Sequence, residues 1–345
     1  MSSSNDESTL PSAAECDKRC KEFAAITGTD TALAMFYLQD RDWSLDRALN
    51  SYFEEAGASQ LDAVEGSVAS SNNNQSNSSG TSASDDQPYR IRLLSWNIDG
   101  LDRKNLRSRT LGVCDTIIKE DPHVVFLQEV VQDSEEIIQE KCPMYHMIPG
   151  NDEEYYCAML LKTGQVQVEE TKILPFPNTS MLRNLLAVKC TVKGEKLFLM
   201  TSHLESTKDY SAERKEQLRQ CLSYLKKREA ERTVVFGGDL NLRDNELVEI
   251  GGLPEGVFDI WEVTGKRPEA KFTWDTQRND NLEWSHRYKP KCRFDRLYVR
   301  HSEPKVLKPE YFELVGLERL KSCQRFCSDH WGLLTHFNIL SKLPK

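Results

Sequence analysis

The amino-acid sequence predicts a packed α/β domain that follows a small helical module and a flexible linker. Beyond Tyr89, short β-branched and aromatic runs alternate with segments whose apolar side chains repeat at helical spacing. Residues 62–88 are rich in Ser and Asn and offer few large apolar side chains to bury. Residues 14–55 instead carry apolar side chains at helical spacing throughout. The 345 residues therefore divide into one small and one large folded part.

The predicted boundaries follow these changes in composition. The first residues are rich in Ser, Asn and Asp, which is typical of disorder. In the helical module, a break at Thr27-Gly28-Thr29 separates the first two helices, and Ser44 is the expected N-cap of a third. We predict a disordered start over 1–13, a three-helix bundle over 14–56, a flexible linker over 57–88 and the α/β domain over 89–345.

The elements of the α/β domain are predicted from runs of apolar residues and from their period. Each predicted strand ends directly before a polar or glycine-containing turn. The strands are Ile91–Trp96, Val124–Leu127, Lys196–Met200, Val234–Phe236 and Phe294–Val299, and the helices are Ser108–Glu120 and Ser211–Arg228.

Charge and composition exclude several classes of function. Residues 1–88 carry 5 Lys and Arg against 15 Asp and Glu, so the formal net charge of −9 lies in this part, and the remainder is near neutral. A broad basic surface for duplex DNA is therefore not expected. No apolar run has the length of a membrane span and no secretory signal is visible, so we expect an intracellular protein with no membrane partner. The ten cysteines are scattered, which favours reduced thiols over a zinc site.

Polar groups follow the predicted strands, at the point where each strand ends. If these strands share one core, their ends converge in one cleft. Oxygen ligands without thiolates suit Mg²⁺ or Mn²⁺, and a neighbouring histidine can donate a proton or stabilise charge. This inventory matches metal-assisted hydrolysis of a phosphate ester, although a turn-capping role for Asp239 stays open. The residues are Asn97, Glu129, His203, Asp239, Asn241, Arg243, Asp295, Asp329 and His330.

Six short motifs resemble the endonuclease/exonuclease/phosphatase superfamily, which includes deoxyribonuclease I and exonuclease III. They are Trp96-Asn97, Leu127-Gln128-Glu129, Thr201-Ser202-His203-Leu204, Gly238-Asp239-Leu240-Asn241, Phe294-Asp295-Arg296 and Ser328-Asp329-His330. The resemblance implies a four-layered αββα sandwich for residues 89–345. It also implies a Mg²⁺ cofactor, for which Mn²⁺ substitutes.

The same resemblance assigns roles to the site residues. Glu129 is the principal metal ligand, and Asp329 lies near enough to share the metal. The implied catalytic residues are Asn97, Asp239, Asn241, Asp295 and His330. Among them, Asp239, held by Asn241, orients or activates the attacking water. His330 contacts the scissile phosphate, and Asp295 orients His330.

Within the superfamily, four segments resemble the tyrosyl-DNA phosphodiesterases: 97–102, 203–207, 237–244 and 328–333. This implies hydrolysis of the 5′-phosphotyrosyl bond that a trapped topoisomerase II leaves on DNA, with a 5′ phosphate as product, in double-strand break repair. The partners are then a single-stranded or frayed DNA 5′ end and a topoisomerase II-derived peptide. The substrate implies a nuclear location, and a cytoplasmic fraction is compatible with it.

The expected contacts with DNA come from four segments of the chain. We expect Gly237 and Gly238 to let the backbone approach a phosphate closely. For Trp274 ordinary packing remains an alternative, and for His203 a structural hydrogen bond. The predicted DNA-binding residues are Asn97, Ser202, His203, Leu204, Glu205, Ser206, Asn241, Arg243 and Trp274.

The N-terminal module resembles the ubiquitin-associated family of three-helix domains, on the segment from Trp43 to Phe53. This implies ubiquitin or signalling proteins as partners. Two other functions stay open: a different substrate in the same superfamily, such as an RNA end or a phosphoinositide, and a signalling adaptor that acts through the bundle.

Overall fold

A computed structural model describes residues 13–27, 31–41, 43–45, 47–49, 52, 87–283 and 289–343. The predicted disordered start up to residue 12 and the predicted linker up to residue 86 lie outside these residues. The chain divides into two compact units, an N-terminal one and one formed by Asp85–Trp284 with Lys289–Lys345. Among the helices that the structure describes, none is both long enough and apolar enough to cross a bilayer.

The N-terminal unit is helical, as the sequence predicts. Helix α1 is Ala13–Thr27 and helix α2 is Thr31–Asp40, and residues 45, 47–49 and 52 are also helical. The Ala48 N–H donates to the Ser44 carbonyl over 3.0 Å, where the third helix is predicted to begin. Phe23 is fully buried, and its ring centre lies 5.6 Å from that of Tyr37. A small aromatic core therefore holds these helical segments together.

The second unit contains fourteen strands and five α-helices in its described residues. The strands are β1 Arg90–Asn97, β2 Val124–Val130, β3 Tyr145–Pro149, β4 Tyr156–Lys162, β5 Val166–Pro175, β6 Asn184–Val192, β7 Glu195–Ser202, β8 Thr233–Asp239, β9 Val257–Asp259, β10 Trp274–Asp275, β11 Lys291–Cys292, β12 Asp295–Arg300, β13 Leu307–Val315 and β14 Gly332–Ile339. The helices are α3 Leu106–Glu120, α4 Gln132–Lys141, α5 Ser211–Lys226, α6 Asp244–Glu249 and α7 Ile260–Val263.

The strands form two six-stranded sheets and one hairpin. The first sheet has the order β13-β14-β1-β2-β4-β3 and the second has the order β5-β6-β7-β8-β12-β9, while β10 pairs with β11. The hairpin carries Trp274, and its second strand, β11, directly precedes β12 of the second sheet in the chain.

Alternating side chains divide the apolar residues between three cores, which produces four layers. In β1, Leu93 belongs to the core between the two sheets, whereas Leu94 faces the core under α3 and α4. In β8, Val235 belongs to the central core, whereas Val234 packs with α5. Because neighbouring residues of a strand point to opposite faces, each central strand fills two cores. The αββα sandwich is therefore confirmed.

The topology brings the predicted site residues to one edge. β1 runs parallel to β2, and β7 runs parallel to β8, so the carboxyl ends of these four strands lie at one edge of their sheets. β12 and β14 run antiparallel to β8 and β1, so they begin at the same edge. Asp295 at the start of β12 pairs directly with Asp239 at the end of β8.

The structure explains the paired glycines of β8 differently from the sequence, which predicted that they let the backbone approach a phosphate. A Cβ on Gly237 would lie 2.1 Å from the Arg296 carbonyl oxygen of β12. A Cβ on Gly238, whose φ is +138°, would lie 2.2 Å from the Ser202 carbonyl oxygen of β7. Both glycines are buried between neighbouring strands, so they permit close strand packing rather than the approach of a phosphate.

Candidate active site

Asp239 lies at the centre of the site, buried at the end of β8 with 1% of its surface exposed. Its Oδ1 accepts a hydrogen bond from the Asn241 backbone N–H over 3.0 Å. Its Oδ2 accepts from Asn97 Nδ2 over 3.0 Å and lies 3.2 Å from His203 Nε2. Burial by itself would raise the pKa of Asp239, but the neighbouring His203 and His330 imidazoles and the Asn97 amide hold it well below its usual range. Asp239 is therefore an anion at neutral pH, and Asn241 holds it through the backbone rather than the side chain.

His203 is held between two charged groups. Its Nδ1 lies 2.7 Å from the Arg183 guanidinium, which can only donate. Nδ1 is therefore the acceptor in this contact, and Nε2 donates to Asp239. Arg183 also donates to Ser206 Oγ over 3.0 Å and lies over the Tyr155 ring at 5.1 Å. His203 thus makes structural hydrogen bonds with Arg183 and Asp239, which was the alternative to a contact with DNA.

His330 pairs with Asp295 on the other side of Asp239. His330 Nδ1 lies 2.8 Å from Asp295 Oδ2, which also accepts from the Thr273 hydroxyl over 2.5 Å. His330 Nε2 lies 3.7 Å from Asp239 Oδ2 and 4.0 Å from Asp329 Oδ1. Burial would lower the pKa of His330, but the charges of these three carboxylates raise it well above its ordinary value. His330 is therefore an imidazolium that points its free nitrogen at the centre of the site.

The loop that carries His330 is fixed to the end of β1. Ser328 Oγ donates to the Asn97 carbonyl over 2.6 Å and accepts from the His330 N–H over 3.0 Å. Trp96 Nε1 donates to the His330 carbonyl over 2.9 Å. Ser328 therefore has a structural role in its motif: its hydroxyl positions the loop that carries His330.

Of the two predicted metal ligands, Glu129 lies beside Asn97. Asn97 Nδ2 donates to Glu129 Oε1 over 3.1 Å, and Glu129 has a left-handed backbone with φ +56° next to an irregularity in the pairing of β2 with β4. Such a conformation is costly, and it turns the Glu129 carboxylate toward the site. Asp329 Oδ2 accepts from Trp274 Nε1 over 3.1 Å. Trp274 is therefore tied to the site and does more than fill space.

These carboxylates fit a hard divalent cation. Burial together with the charges of Asp329 and Glu129 raises the pKa of nearby Asp99 to about 8, against the opposing charge of Arg109. Negative charge is therefore concentrated at this point of the site, and the donor atoms there are oxygens, which Mg²⁺ and Mn²⁺ prefer.

A second group of possible ligand atoms lies close by. Asp239, Asp295 and His330 offer atoms within 4.8 Å of one another. Asp295 Oδ2 is already occupied by His330 and Thr273, however, and a protonated His330 repels a cation. Glu129 and Asp329 both lie close enough to Asp99 for their charges to raise its pKa, and they remain the predicted cation ligands.

Comparison with known proteins follows the same division of the chain. The model of the endonuclease/exonuclease/phosphatase family matches residues 94–330, which include the whole site described above. A model of the UBA-like domain matches residues 17–59. The chain is 40% identical to human tyrosyl-DNA phosphodiesterase 2 over 336 residues, which cover 93% of this chain and 92% of that protein. It is 44% identical to tyrosyl-DNA phosphodiesterase 2 of Gallus gallus over 337 residues, which cover 93% of this chain and 90% of that protein.

The chain belongs to the endonuclease/exonuclease/phosphatase family, in its tyrosyl-DNA phosphodiesterase 2 branch. A crystal structure of Danio rerio tyrosyl-DNA phosphodiesterase 2 complexed with single-strand DNA product is similar with a TM-score of 0.70 and 41% identity. That alignment covers 72% of this chain and 99% of the Danio rerio chain. The family resemblance seen in the sequence is confirmed for both parts of the chain.

Three of the residues predicted to touch DNA in this family member lie behind the site instead. Ser202, Leu204 and Glu205 have no exposed surface. The Ser202 hydroxyl donates to the Asn184 carbonyl over 2.7 Å, and Leu204 is part of the core under α5. Glu205 accepts from the Ser180 N–H over 2.7 Å and from Gln217 over 3.0 Å. The prediction that these three side chains contact DNA is therefore wrong, because all three are buried inside the protein.

Among the remaining predicted DNA-binding residues, the partly exposed ones form the rim of the site: Ser206, Arg243 and Trp274. Ser206 is partly exposed and accepts from Arg183 and from Asn241 Nδ2, the latter over 3.4 Å. The Arg243 guanidinium lies over the Phe294 ring at 5.3 Å and donates to the Asn241 carbonyl over 3.0 Å. The rings of Trp274 and Phe294 have centres 5.5 Å apart.

Sequence reasoning missed several functional residues. Arg183 lies just before β6 in a segment without any recognisable motif, and Asp99 is not among the predicted site residues. Phe294 was part of a motif, but its place under Arg243 depends on the fold. Thr273 directly precedes Trp274 in the chain, and nothing in the sequence indicates that its hydroxyl donates to Asp295.

Proposed function

We propose that this protein is a Mg²⁺-dependent phosphodiesterase that hydrolyses the 5′-phosphotyrosyl bond between DNA and a trapped topoisomerase II, and leaves a 5′ phosphate. The observation that carries the proposal is Asn97, whose amide joins Glu129 and Asp239 at the edge where both sheets end. The relatives with 40% identity or more over most of the chain bear the name of this activity. The relative from Danio rerio binds single-strand DNA product, which supports DNA as the substrate.

The metal would be held by Glu129 and Asp329, with Asn97 fixing the Glu129 carboxylate. When bound, Mg²⁺ supplies a Lewis acid that polarises the phosphate and neutralises its developing charge, and Mn²⁺ can replace it. Burial is the largest cause of the raised pKa of Asp99, and the charges of Asp329 and Glu129 add to it; a bound cation would relieve this repulsion.

The residues around Asp239 perform the hydrolysis. Asp239 is ionised and held by Asn97, Asn241 and His203, so its carboxylate can orient a water for in-line attack on phosphorus. His330, fixed by Asp295 and positively charged, stabilises the extra negative charge that the phosphate gains in the transition state. The tyrosyl oxygen leaves with the electron pair of the broken P–O bond and takes up a proton.

The rim selects a DNA end rather than an intact duplex. Arg243 and Trp274 surround the exposed face of Phe294, so a terminal base has aromatic faces and a cation to contact. The near-neutral charge of residues 89–345 offers little attraction to a long duplex. Single-stranded or frayed 5′ ends are therefore the proposed substrate.

The proposed partners follow from the substrate and from the UBA-like match. A topoisomerase II-derived peptide is the leaving group, and ubiquitin or a ubiquitin-modified protein binds the N-terminal unit. A nuclear location, with a cytoplasmic fraction, is proposed from the substrate alone. Fluorescence microscopy of the tagged chain before and after topoisomerase II poisoning tests it, and exclusion from the nucleus contradicts it.

Cleavage of a 5′-tyrosyl oligonucleotide with and without Mg²⁺ tests the activity. We expect turnover with Mg²⁺ or Mn²⁺ and its loss in excess chelator. Asp239→Asn and Glu129→Gln should each lower kcat by at least about a hundredfold, on the order of 3 kcal/mol of transition-state stabilisation. Glu310→Gln, an exposed substitution on β13, is the matched control. Faster hydrolysis of a phosphoinositide or an RNA end than of the tyrosyl oligonucleotide contradicts the proposal, and so does near-normal cleavage by Asp239→Asn.

A further inference from the structure

Beside the rim lies a cluster of one aromatic ring and two lysines, which none of the predicted roles uses. The Lys291 ammonium lies 4.4 Å from the centre of the Phe272 ring, and the Lys271 ammonium lies 5.2 Å from it. Lys291 is exposed, whereas Lys271 and Phe272 are partly exposed. We call Lys271, Phe272 and Lys291 the lysine pair site.

The two ammonium groups are not neutralised within the part of the chain that the structure describes, where neither lysine forms an ion pair. Two acidic residues that line the same cleft as Lys271 are paired with arginines: Asp244 with Arg296 over 2.6 Å, and Asp259 with Arg293 over 2.5 Å. Both positive charges lie near one ring, so a phosphate beside them gains a favourable electrostatic interaction. Interaction with the ring fixes the ammonium groups in place before any ligand binds.

The lysine pair site adjoins the proposed DNA-end site. Phe272 is followed by Thr273, which bonds the catalytic-site residue Asp295, and by Trp274 of the rim. Lys271 lies close enough to Asp244, the neighbour of Arg243 in sequence, for its charge to lower the pKa of that carboxyl after the larger effect of Arg296. Lys271 also lines an open cleft of about 440 Å³ together with Trp261 and Arg293. The lysine pair site therefore lies next to the segments that carry Arg243 and Trp274.

We propose that the lysine pair site binds an internucleotide phosphate of the DNA strand near its 5′ end, and so extends the substrate-binding surface beyond the terminal nucleotide. The inference rests on the proposed function, since it takes DNA as the substrate. Phosphodiester groups match two exposed ammonium ions, which form flexible charge-assisted hydrogen bonds rather than a fixed fork. Phe272 is partly exposed, so its ring can also contact the adjacent base.

The test compares 5′-tyrosyl substrates of increasing length, from a mononucleotide without an internucleotide phosphate to an octanucleotide. For the unchanged protein, KM falls as internucleotide phosphates are added. In Lys271→Gln/Lys291→Gln, we expect KM for the octanucleotide to rise about tenfold, with kcat and the mononucleotide KM unchanged. The slope of log(kcat/KM) against log salt should become shallower by about 0.7 for each DNA phosphate that the variant no longer neutralises.

The matched control is Lys119→Gln/Lys215→Gln, which removes two charges that pair with Glu120 and Glu249 elsewhere on the same unit. It should keep the length dependence. Phe272→Leu keeps both charges and should weaken octanucleotide binding by a smaller factor. Thermal unfolding of each variant verifies that it is folded. The proposal is overturned if the double variant keeps the full decrease in KM with length, or if the control variant is impaired as much.

Failure of the proposed function has a different signature. If 5′-tyrosyl DNA is not the substrate, no length of it is cleaved by the unchanged protein. Binding of a 5′-phosphorylated octanucleotide, followed by fluorescence anisotropy, still measures the lysine pair site in that case. Equal affinity of the unchanged protein and the double variant for this probe overturns the inference, and a tenfold difference supports it.

Discussion

His330 owes its charge to the carboxylates around it. Asp295, Asp239 and Asp329 together raise the pKa of a buried imidazole that burial alone would make neutral. A cation at this place can stabilise the charge that develops on phosphate, whereas a neutral ring would do so only weakly. Asp295 is therefore a positioning residue that also sets the protonation state of His330.

The substitution Asp295→Asn should change the pH profile of the reaction. Because the pKa of His330 is raised, its imidazolium persists above the ordinary titration range and is lost as pH rises through the raised value. Removing the Asp295 charge lowers the pKa of His330, so the alkaline decline of kcat/KM should move to lower pH. The profile is measured at saturating Mg²⁺. His330→Gln serves as the comparison, since it has no imidazole to titrate, and an unmoved alkaline decline in Asp295→Asn contradicts the assigned role.

At the scale of elements, α3 joins the two loops that carry the acidic residues. Arg109 on this helix has no exposed surface and donates to the Asp99 carbonyl over 2.9 Å and to the Cys327 carbonyl over 3.1 Å. It also pairs with the Asp99 carboxylate over 3.2 Å and donates to the carbonyls of Lys104 and Asp102. One buried guanidinium thus links the loop after β1 to the loop before Asp329.

The variant Arg109→Met should lower the free energy of unfolding by about 3–5 kcal/mol, because it leaves Asp99 and several carbonyls buried without their donor. It should also weaken Mg²⁺ activation, since Asp99 and Asp329 lose their common support. Urea unfolding and a Mg²⁺ titration of activity measure the two effects. Arg107→Met, an exposed substitution on the same helix, should change stability by no more than about 0.5 kcal/mol. Equal stability of the two variants contradicts this role for Arg109.

At the scale of the whole molecule, the site belongs to one unit. Every residue described above as a partner of Asp239, Glu129 or His330 lies in the unit formed by Asp85–Trp284 and Lys289–Lys345. This unit has its own three cores, so it has what an independent fold requires. The first 88 residues contain most of the excess negative charge instead.

Deletion of residues 1–86 should therefore leave kcat on a 5′-tyrosyl oligonucleotide unchanged within about twofold. Recruitment to damaged DNA in cells should be abolished if the UBA-like domain binds the recruiting partner. Steady-state kinetics and imaging of the truncated chain measure these outcomes. A fall in kcat of more than tenfold means that the N-terminal part contributes to catalysis, and it contradicts the division of labour.

Much of the fold was predictable because strands and helices differ in the period of their apolar residues. The predicted helix Ser108–Glu120 is observed as Leu106–Glu120, and the predicted strand Val124–Leu127 continues to Val130. Nine of the fourteen described strands were not predicted, among them β4, β6 and β14 inside the sheets and the edge strand β5. β5 is almost fully exposed, so its residues do not show the apolar alternation of a half-buried strand.

The sequence by itself determined the chemistry of the site, because carboxylates, amides and histidines follow apolar strands that must share a core. Only the tertiary structure decided which neighbours face the cleft: His203 and Ser206 do, whereas Leu204 and Glu205 do not. It alone joined Arg183 to His203 and Arg109 to Asp99, residues that are 20 and 10 positions apart. The physical reason is that a motif fixes the identity and order of side chains, while their direction depends on strand pairing and core packing between distant segments.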